Sequence, residues 1–239
     1  MVKKSIDIVI PIYYGNYSEI GNSLNILHKF LVENMKDYSW NIIIGLNGQD
    51  KNGILNLCKN LTHKHSHVNL SYTSTPGRGA SLSYCWSNSK SDYVSYMDVD
   101  LATDLKCFPL MINNLDDSYD LCVGSRYLSN SQRKRSLFRY ILSRTYNHFF
   151  LKLVLNAKFT DSQCGFKAMN SDVAKKIIPL IKDVNWFWDT EILYICQRKG
   201  HKLKEIPVIW EEKPNSGVKF IKTIRDFVFK SLELRFRRI

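Results

Sequence analysis

Apolar positions along the first half of the chain switch repeatedly between a β-rich spacing and a helical one. Residues 5–10 (SIDIVI) form a short β-rich run stopped by Pro11. Residues 18–35 follow with Ile20, Leu24, Leu27, Leu31 and Met35 on one helical stripe. The same alternation predicts a strand over 41–46, a helix over 53–62, a strand over 68–73, a helix over 79–89 and a strand over 92–97. The second half is less regular. It predicts a strand near 120–123 running into Gly124-Ser125-Arg126, a basic loop holding Arg133, Lys134 and Arg135, and a long aromatic helix over about 137–155. Beyond it lie an extended segment over 161–168, helices over 172–181 and 189–199, a strand over 203–210, and an amphipathic helix from 218 to the last residue.

Strands alternating with helices imply parallel pairing, with helices packed on the sheet. Ligands of such sheets bind beyond the carboxyl ends of the strands, so residues 11–14, 46–49 and 98–104 are the places where chemistry is expected. A length of 239 residues, with 44% hydrophobic, suits one compact α/β domain and argues against disorder.

Charge narrows the partner. A net charge of +12 calls for an anion: nucleic acid, a phosphate-bearing substrate or an anionic membrane surface. An aromatic content of 13% beside that charge is compatible with a nucleic-acid binder, but no binding module interleaves the two residue types, and no nucleic acid is expected. The cysteines at 58, 85, 107, 122, 164 and 196 stand singly, as reduced thiols rather than zinc or dithiol pairs. Lys3 and Lys4 precede an apolar run broken by Asp7, which is not a signal peptide, and no stretch has the length of a membrane span. A cytoplasmic protein is expected, one that meets a membrane, if at all, peripherally from the cytoplasmic side.

The sharpest chemical feature is Asp98-Val99-Asp100, directly after the apolar run Tyr93–Met97. Ionised carboxylates at the exit of a strand need a partner. A divalent ion bridging the phosphates of a nucleotide supplies one, because Mg2+ and Mn2+ prefer hard oxygen ligands. Asp104 stands where it would cap a helix starting near Leu105. His63, His65 and His67 alternate at a helix-to-strand junction, and a polar turn is the favoured reading over a metal site there.

With these residues in view, the chain resembles glycosyltransferase family 2, and within it the dolichyl-phosphate glucosyltransferases and mannose synthases. The matching segments are IVIPIYYG, PGRGASL, MDVDLATD, GSRY, DSQCGFKAM, FWDTEILY and IPVIW, in this order over nearly the whole chain. The resemblance implies an α/β GT-A (Rossmann-like) three-layer sandwich with a mainly parallel central sheet and a C-terminal amphipathic helix. It divides one domain into a nucleotide-sugar half (1–125), an acceptor half (126–212) and a basic terminal helix (213–239). It also implies an inverting hexose transfer from a nucleotide sugar to a polyprenyl phosphate, with Asp98 and Asp100 holding Mg2+ or Mn2+. Pro11, Tyr13 and Glu19 would surround the base and ribose, and Arg78 with Gly79 would lie beside the base or diphosphate. Asn47 stands where the family usually has an acidic pair, and an amide both donates and accepts.

The acceptor decides the remaining roles. Arg126, Arg139, Ser143 and Lys213 match positions that bind phosphate in the polyprenyl-phosphate enzymes. A sugar hydroxyl acceptor would instead need a carboxylate base, for which Asp161, Asp189 and Glu191 are candidates and Asp161 is preferred. A transferase adding sugar to a surface glycan is therefore the alternative. The terminal helix sets Phe220, Ile224, Phe227 and Val228 among Lys and Arg, a composition suited either to an anionic leaflet or to packing on the domain.

Overall fold

Strand β1 (Ser5–Ile12) turns Ile6, Ile8, Ile10 and Ile12 into one apolar layer and Val9 into another, as the period of two requires. The strand continues past Pro11 because pairing with β4 (Tyr93–Met97) ends at Val9, while the register with β2 (Ser39–Asn47) runs on to Ile12 opposite Leu46. This computed structural model describes residues 3–134, 144, 147–212 and 220–239.

With β3 (Val68–Thr73), β5 (Leu121–Ser125), β7 (Phe166–Asn170) and β8 (Leu203–Pro207), these strands form a seven-stranded sheet in the order β3-β2-β1-β4-β7-β5-β8. Pairing is parallel throughout except at β7, which runs antiparallel between β4 and β5. On one face pack α1 (Ile20–Asn34), α2 (Ile54–Lys64) and α4 (Phe108–Asp116). On the other lie α3 (Arg78–Asn88), α5 (Ser171–Ile177), α6 (Trp188–Arg198) and α7 (Phe220–Phe236). The fold is thus a mixed α/β sandwich with a mostly parallel centre, as expected.

The second half departs from its sequence reading in informative ways. Of the extended segment expected over 161–168, only the end joins the sheet, because Asp161 and its neighbours are drawn aside by side-chain bonds. The helix expected over 172–181 tightens into a 3-10 turn, Ile178–Leu180, around Pro179. The strand expected over 203–210 breaks at Val208. Its remainder, β9 (Ile209–Glu211), pairs with β6 (Gln132–Lys134), a strand the sequence did not signal. Of the long aromatic helix, the described residues are 144, which is helical, and a π-helical segment, Asn147–Val154. Among the described residues, no helix is long and apolar enough to cross a membrane.

Candidate active site

The strand order reverses direction between β1 and β4, and there the carboxyl ends of β1, β2 and β4 deliver Tyr13, Asn47 and Asp98 to one edge of the sheet. Asp98 follows β4 directly, and its backbone N–H donates to the Gly165 carbonyl at 3.2 Å. The antiparallel β7 brings this about by setting Phe166 opposite Met97, which folds the 161–169 motif against the acidic pair. Gly165 is tightly fitted: a Cβ there would stand 1.8 Å from Asp98 Oδ2. Asp100 closes its own turn, its Oδ1 accepting from the Ala102 N–H at 3.1 Å. The 98–104 loop is then pinned to β9, Glu211 N–H donating to Ala102 O and Asp104 N–H to Ile209 O, both at 2.9 Å. Asp104 caps the short turn Leu105–Cys107 through the Lys106 N–H, the role expected of it.

Arg78 reaches Asp98 from the start of α3. Its Nε and Nη2 donate to Asp98 Oδ1 at 3.1 and 2.7 Å, while Nη1 donates to Asp189 Oδ2. The guanidinium carbon lies 4.7 Å from the Tyr96 ring centre and 5.0 Å from that of the exposed Trp186. Behind it, the fully buried Lys167 donates to Asp189 Oδ1 at 2.6 Å, to Tyr96 Oη at 3.0 Å, and to the carbonyls of Ser162 and Cys164. Tyr96 also donates to Asp189 Oδ1. Burial pushes the Asp189 carboxyl up, but Arg78 and Lys167 outweigh it and hold it below the usual carboxylate value. Burial likewise lifts the Tyr96 phenol well above its ordinary range, so it acts as a neutral donor. Lys167, Tyr96 and Trp186 were not singled out by sequence reasoning. A lysine inside the apolar run Phe166–Met169 was the available signal.

The carboxylates considered as bases are all committed. Asp161 is buried and grips Arg126 with both oxygens, at 2.7 and 2.9 Å, while also accepting the Arg126 N–H at 3.0 Å. Burial opposes its ionisation, and Arg126 more than compensates. Arg126 lies over the Trp210 ring at 5.2 Å. Glu205 props this loop by accepting from Thr160 and Asp161, burial raising its own pKa. Glu191 accepts from the N–H groups of Lys182 and Asp183 and pairs with Arg237 at 2.6 Å, on the side facing the terminal helix. Asp161, the preferred candidate base, is thus paired with Arg126 and holds that guanidinium in place.

Asn47 bonds within the protein, donating to Ile12 O at 2.7 Å and accepting from the Gly77 N–H at 2.9 Å. Gly77 has φ 128, and a Cβ on it would meet Val184 O at 2.1 Å; one on Gly79 would meet Trp188 Cβ at 2.7 Å. Protein neighbours leave no space for a side chain at either position. Pro11 is buried in β1, Tyr13 is exposed at its end, and Glu19 accepts from Asn16 at 3.0 Å. Arg139, Ser143 and Lys213 lie outside the described residues. Among the described residues, no group of three or more His, Cys, Asp or Glu gathers to hold an ion. His65 and His67 instead pack with His28 and Trp40.

The comparisons agree with this architecture. The chain is 33% identical over 165 residues to glycosyltransferase AglD of Haloferax volcanii, a match spanning 69% of this chain and only 25% of that relative. It is 26% identical over 245 residues to the dolichyl-phosphate beta-glucosyltransferase of Dictyostelium discoideum, covering 97% of this chain and 74% of the relative. Glucosyl-3-phosphoglycerate synthase from Mycobacterium tuberculosis, crystallised with Mn2+, uridine-diphosphate-glucose and phosphoglyceric acid, shares the fold. It has a TM-score of 0.70 at 13% identity, over 97% of this chain and 79% of that one. The model of glycosyl transferase family 2 matches residues 7–178, from β1 through α5. Since that stretch contains the acidic pair, Arg78 and the antiparallel strand that folds Gly165 against them, the chain belongs to glycosyl transferase family 2 and is a glycosyltransferase.

Proposed function

We propose that this glycosyltransferase moves a hexose, with inversion, from a nucleotide-diphosphate sugar of the UDP-glucose or GDP-mannose kind onto a polyprenyl phosphate of the dolichyl type. The observation that carries the choice of acceptor is the commitment of every candidate base. A sugar hydroxyl must lose a proton as it attacks. Asp161, Asp189 and Glu191 are each buried and already bonded to a cation. A phosphate oxygen is ionised beforehand and needs only to be positioned. The dolichyl-phosphate acceptor in the Dictyostelium relative's name supports the same reading.

A divalent cation fits the end of β4. Asp98 and Asp100 offer hard carboxylate oxygens, and the Asp98 side chain is 36% exposed. These two residues would hold the ion, which supplies Lewis acidity against charge gathering on the departing diphosphate. Arg78 lies beside the same carboxylate, ready for phosphate. Tyr13, with Pro11 and Glu19 behind it, would flank the base, and Asn47 and Gly79 would shape the floor. Arg126, held rigid by Asp161, would orient the acceptor phosphate together with Arg139, Ser143 and Lys213. The donor half would then comprise residues 1–125 and the acceptor half 126–212, with the basic segment 213–239 meeting a membrane surface through α7.

The test incubates the protein with Mn2+ or Mg2+, UDP-glucose or GDP-mannose, and a polyprenyl phosphate, and measures sugar in chloroform-soluble lipid. Glycolipid is expected, and Asp98→Ala or Asp100→Ala should lower its formation at least about a hundredfold. Transfer to oligosaccharide alone would overturn the acceptor, and full activity in either variant would overturn the cation site.

A further inference from the structure

Four charged side chains close on one another at the end of β4: Lys167, Asp189, Arg78 and Asp98. Asp189 has an adequate partner without Arg78, because Lys167 and Tyr96 both donate to its Oδ1. Arg78 therefore does something further. Two of its three donor nitrogens are spent on Asp98 Oδ1, an oxygen of a carboxylate that is itself 36% exposed. Under the reading above, that carboxylate receives the divalent ion. A cation arriving alone would be set against a guanidinium already in place. A nucleotide diphosphate changes the balance, since its phosphate oxygens match the flat fork of arginine as well as a carboxylate does.

We propose that Arg78 is the resident counter-ion of Asp98, competing with the divalent cation in the nucleotide-free protein and transferring its Nε and Nη2 donors from Asp98 to the diphosphate when the donor binds. Three observations fit such an exchange. Nη1 stays anchored on Asp189, so the guanidinium can pivot without leaving the site. The rings of Tyr96 and Trp186, at 4.7 and 5.0 Å, keep the cation in aromatic contact during the pivot. Lys167 keeps Asp189 ion-paired throughout. The consequence is that cation and nucleotide bind interdependently, and the site declines to load metal that no donor accompanies.

This inference rests on the cation assignment to Asp98, and the experiment separates the two. Mn2+ affinity of the full chain is measured by the paramagnetic resonance of free Mn2+, alone and with saturating UDP or GDP, whichever binds. In the wild-type protein, nucleotide should tighten Mn2+ binding. Arg78→Met should bind Mn2+ alone about tenfold more tightly than wild type, the scale of one charge-assisted contact withdrawn, and should lose most of the nucleotide's enhancement. Arg78→Lys, keeping the charge without the fork, should hold Mn2+ weakly and also lose the enhancement. It serves as the deciding variant if a thermal melt shows Arg78→Met to be unfolded. A folded Arg78→Met with wild-type Mn2+ affinity, or Arg78→Lys with undiminished enhancement, would overturn the exchange. Asp98→Asn decides the underlying assignment: unchanged Mn2+ affinity there removes the cation site, whereas loss of Mn2+ binding there with an unresponsive Arg78→Met removes only the exchange.

Discussion

Gly165 is the residue on which the acidic pair depends most directly, and its role is spatial. A methyl group at this position would fall 1.8 Å from Asp98 Oδ2 and 2.3 Å from Cγ, so the carboxylate must move. Displacing a site group by this much costs on the order of a hundredfold in rate. Gly165→Ala should therefore lose about that factor in transfer while its circular dichroism stays native, and a rate assay beside a thermal melt checks both. Lys167 carries a different burden. Fully buried, it pairs with Asp189 and Tyr96, and Lys167→Met would leave Asp189 to Arg78 and Tyr96 alone. Breaking one side of a buried pair costs about 3 kcal/mol, which urea unfolding would register as a lowered midpoint. The position of Asp98 was legible because a carboxylate leaving an apolar strand is visible in one dimension. The ion pairs of Asp189 were not: its partners Lys167 and Arg78 are remote in sequence, and no local pattern states which charges meet.

At the level of elements, helical periodicity and short apolar runs bounded by polar residues located β1 to β4 and the helices between them closely. It did not give the place of β7. A strand buried on both sides has the same composition whichever way it runs, so its antiparallel insertion between β4 and β5 had no local mark. Side-chain bonds from Glu205 and Arg126, not periodicity, decide where the extended run before it leaves the sheet. The helix-to-strand junction after α2 carries a property of its own. His65 lies 5.2 Å from His28, and the Nε2 atoms of both are buried without a hydrogen-bond partner. Burial, then His28 and Lys64, lower the His65 pKa from 6.5. Above that value both folded and unfolded states are neutral there. Below it the unfolded chain takes up the proton first, so stability falls as pH drops toward the lowered folded value. The melting temperature should decline as pH drops below about 6.5, and His65→Phe, which keeps an aromatic ring and removes the titration, should flatten the decline. An unchanged slope in that variant would place the sensitivity elsewhere.

For the molecule as a whole, the described side chains of the terminal helix α7 divide between contacts with the domain and exposure to water. Phe227 and Leu234 enter the core, Arg237 meets Glu191 at 2.6 Å, and Lys230 meets Asp183 at 2.5 Å. Those bonds account for Glu191 as an anchor of the helix, and they leave Phe229 at 65% and Phe236 at 83% exposed. The π-helical segment that contacts α7 adds exposed Phe149 and Leu153. Large apolar side chains left in water beside arginines, on a chain of net charge +12, are what an anionic lipid surface would stabilise. The proposed polyprenyl phosphate acceptor would also be met at such a surface, since only its head group can leave the bilayer. The protein is accordingly expected to sediment with vesicles containing phosphatidylserine and much less with purely zwitterionic ones, the binding weakening as salt rises. Replacing Phe229 and Phe236 together by Ala removes insertion but not charge, so affinity for the anionic vesicles should fall at least about tenfold while the salt dependence remains. If the double variant binds as tightly as the parent, the aromatic face of α7 does not enter the lipid, and attraction to the bilayer rests on charge alone.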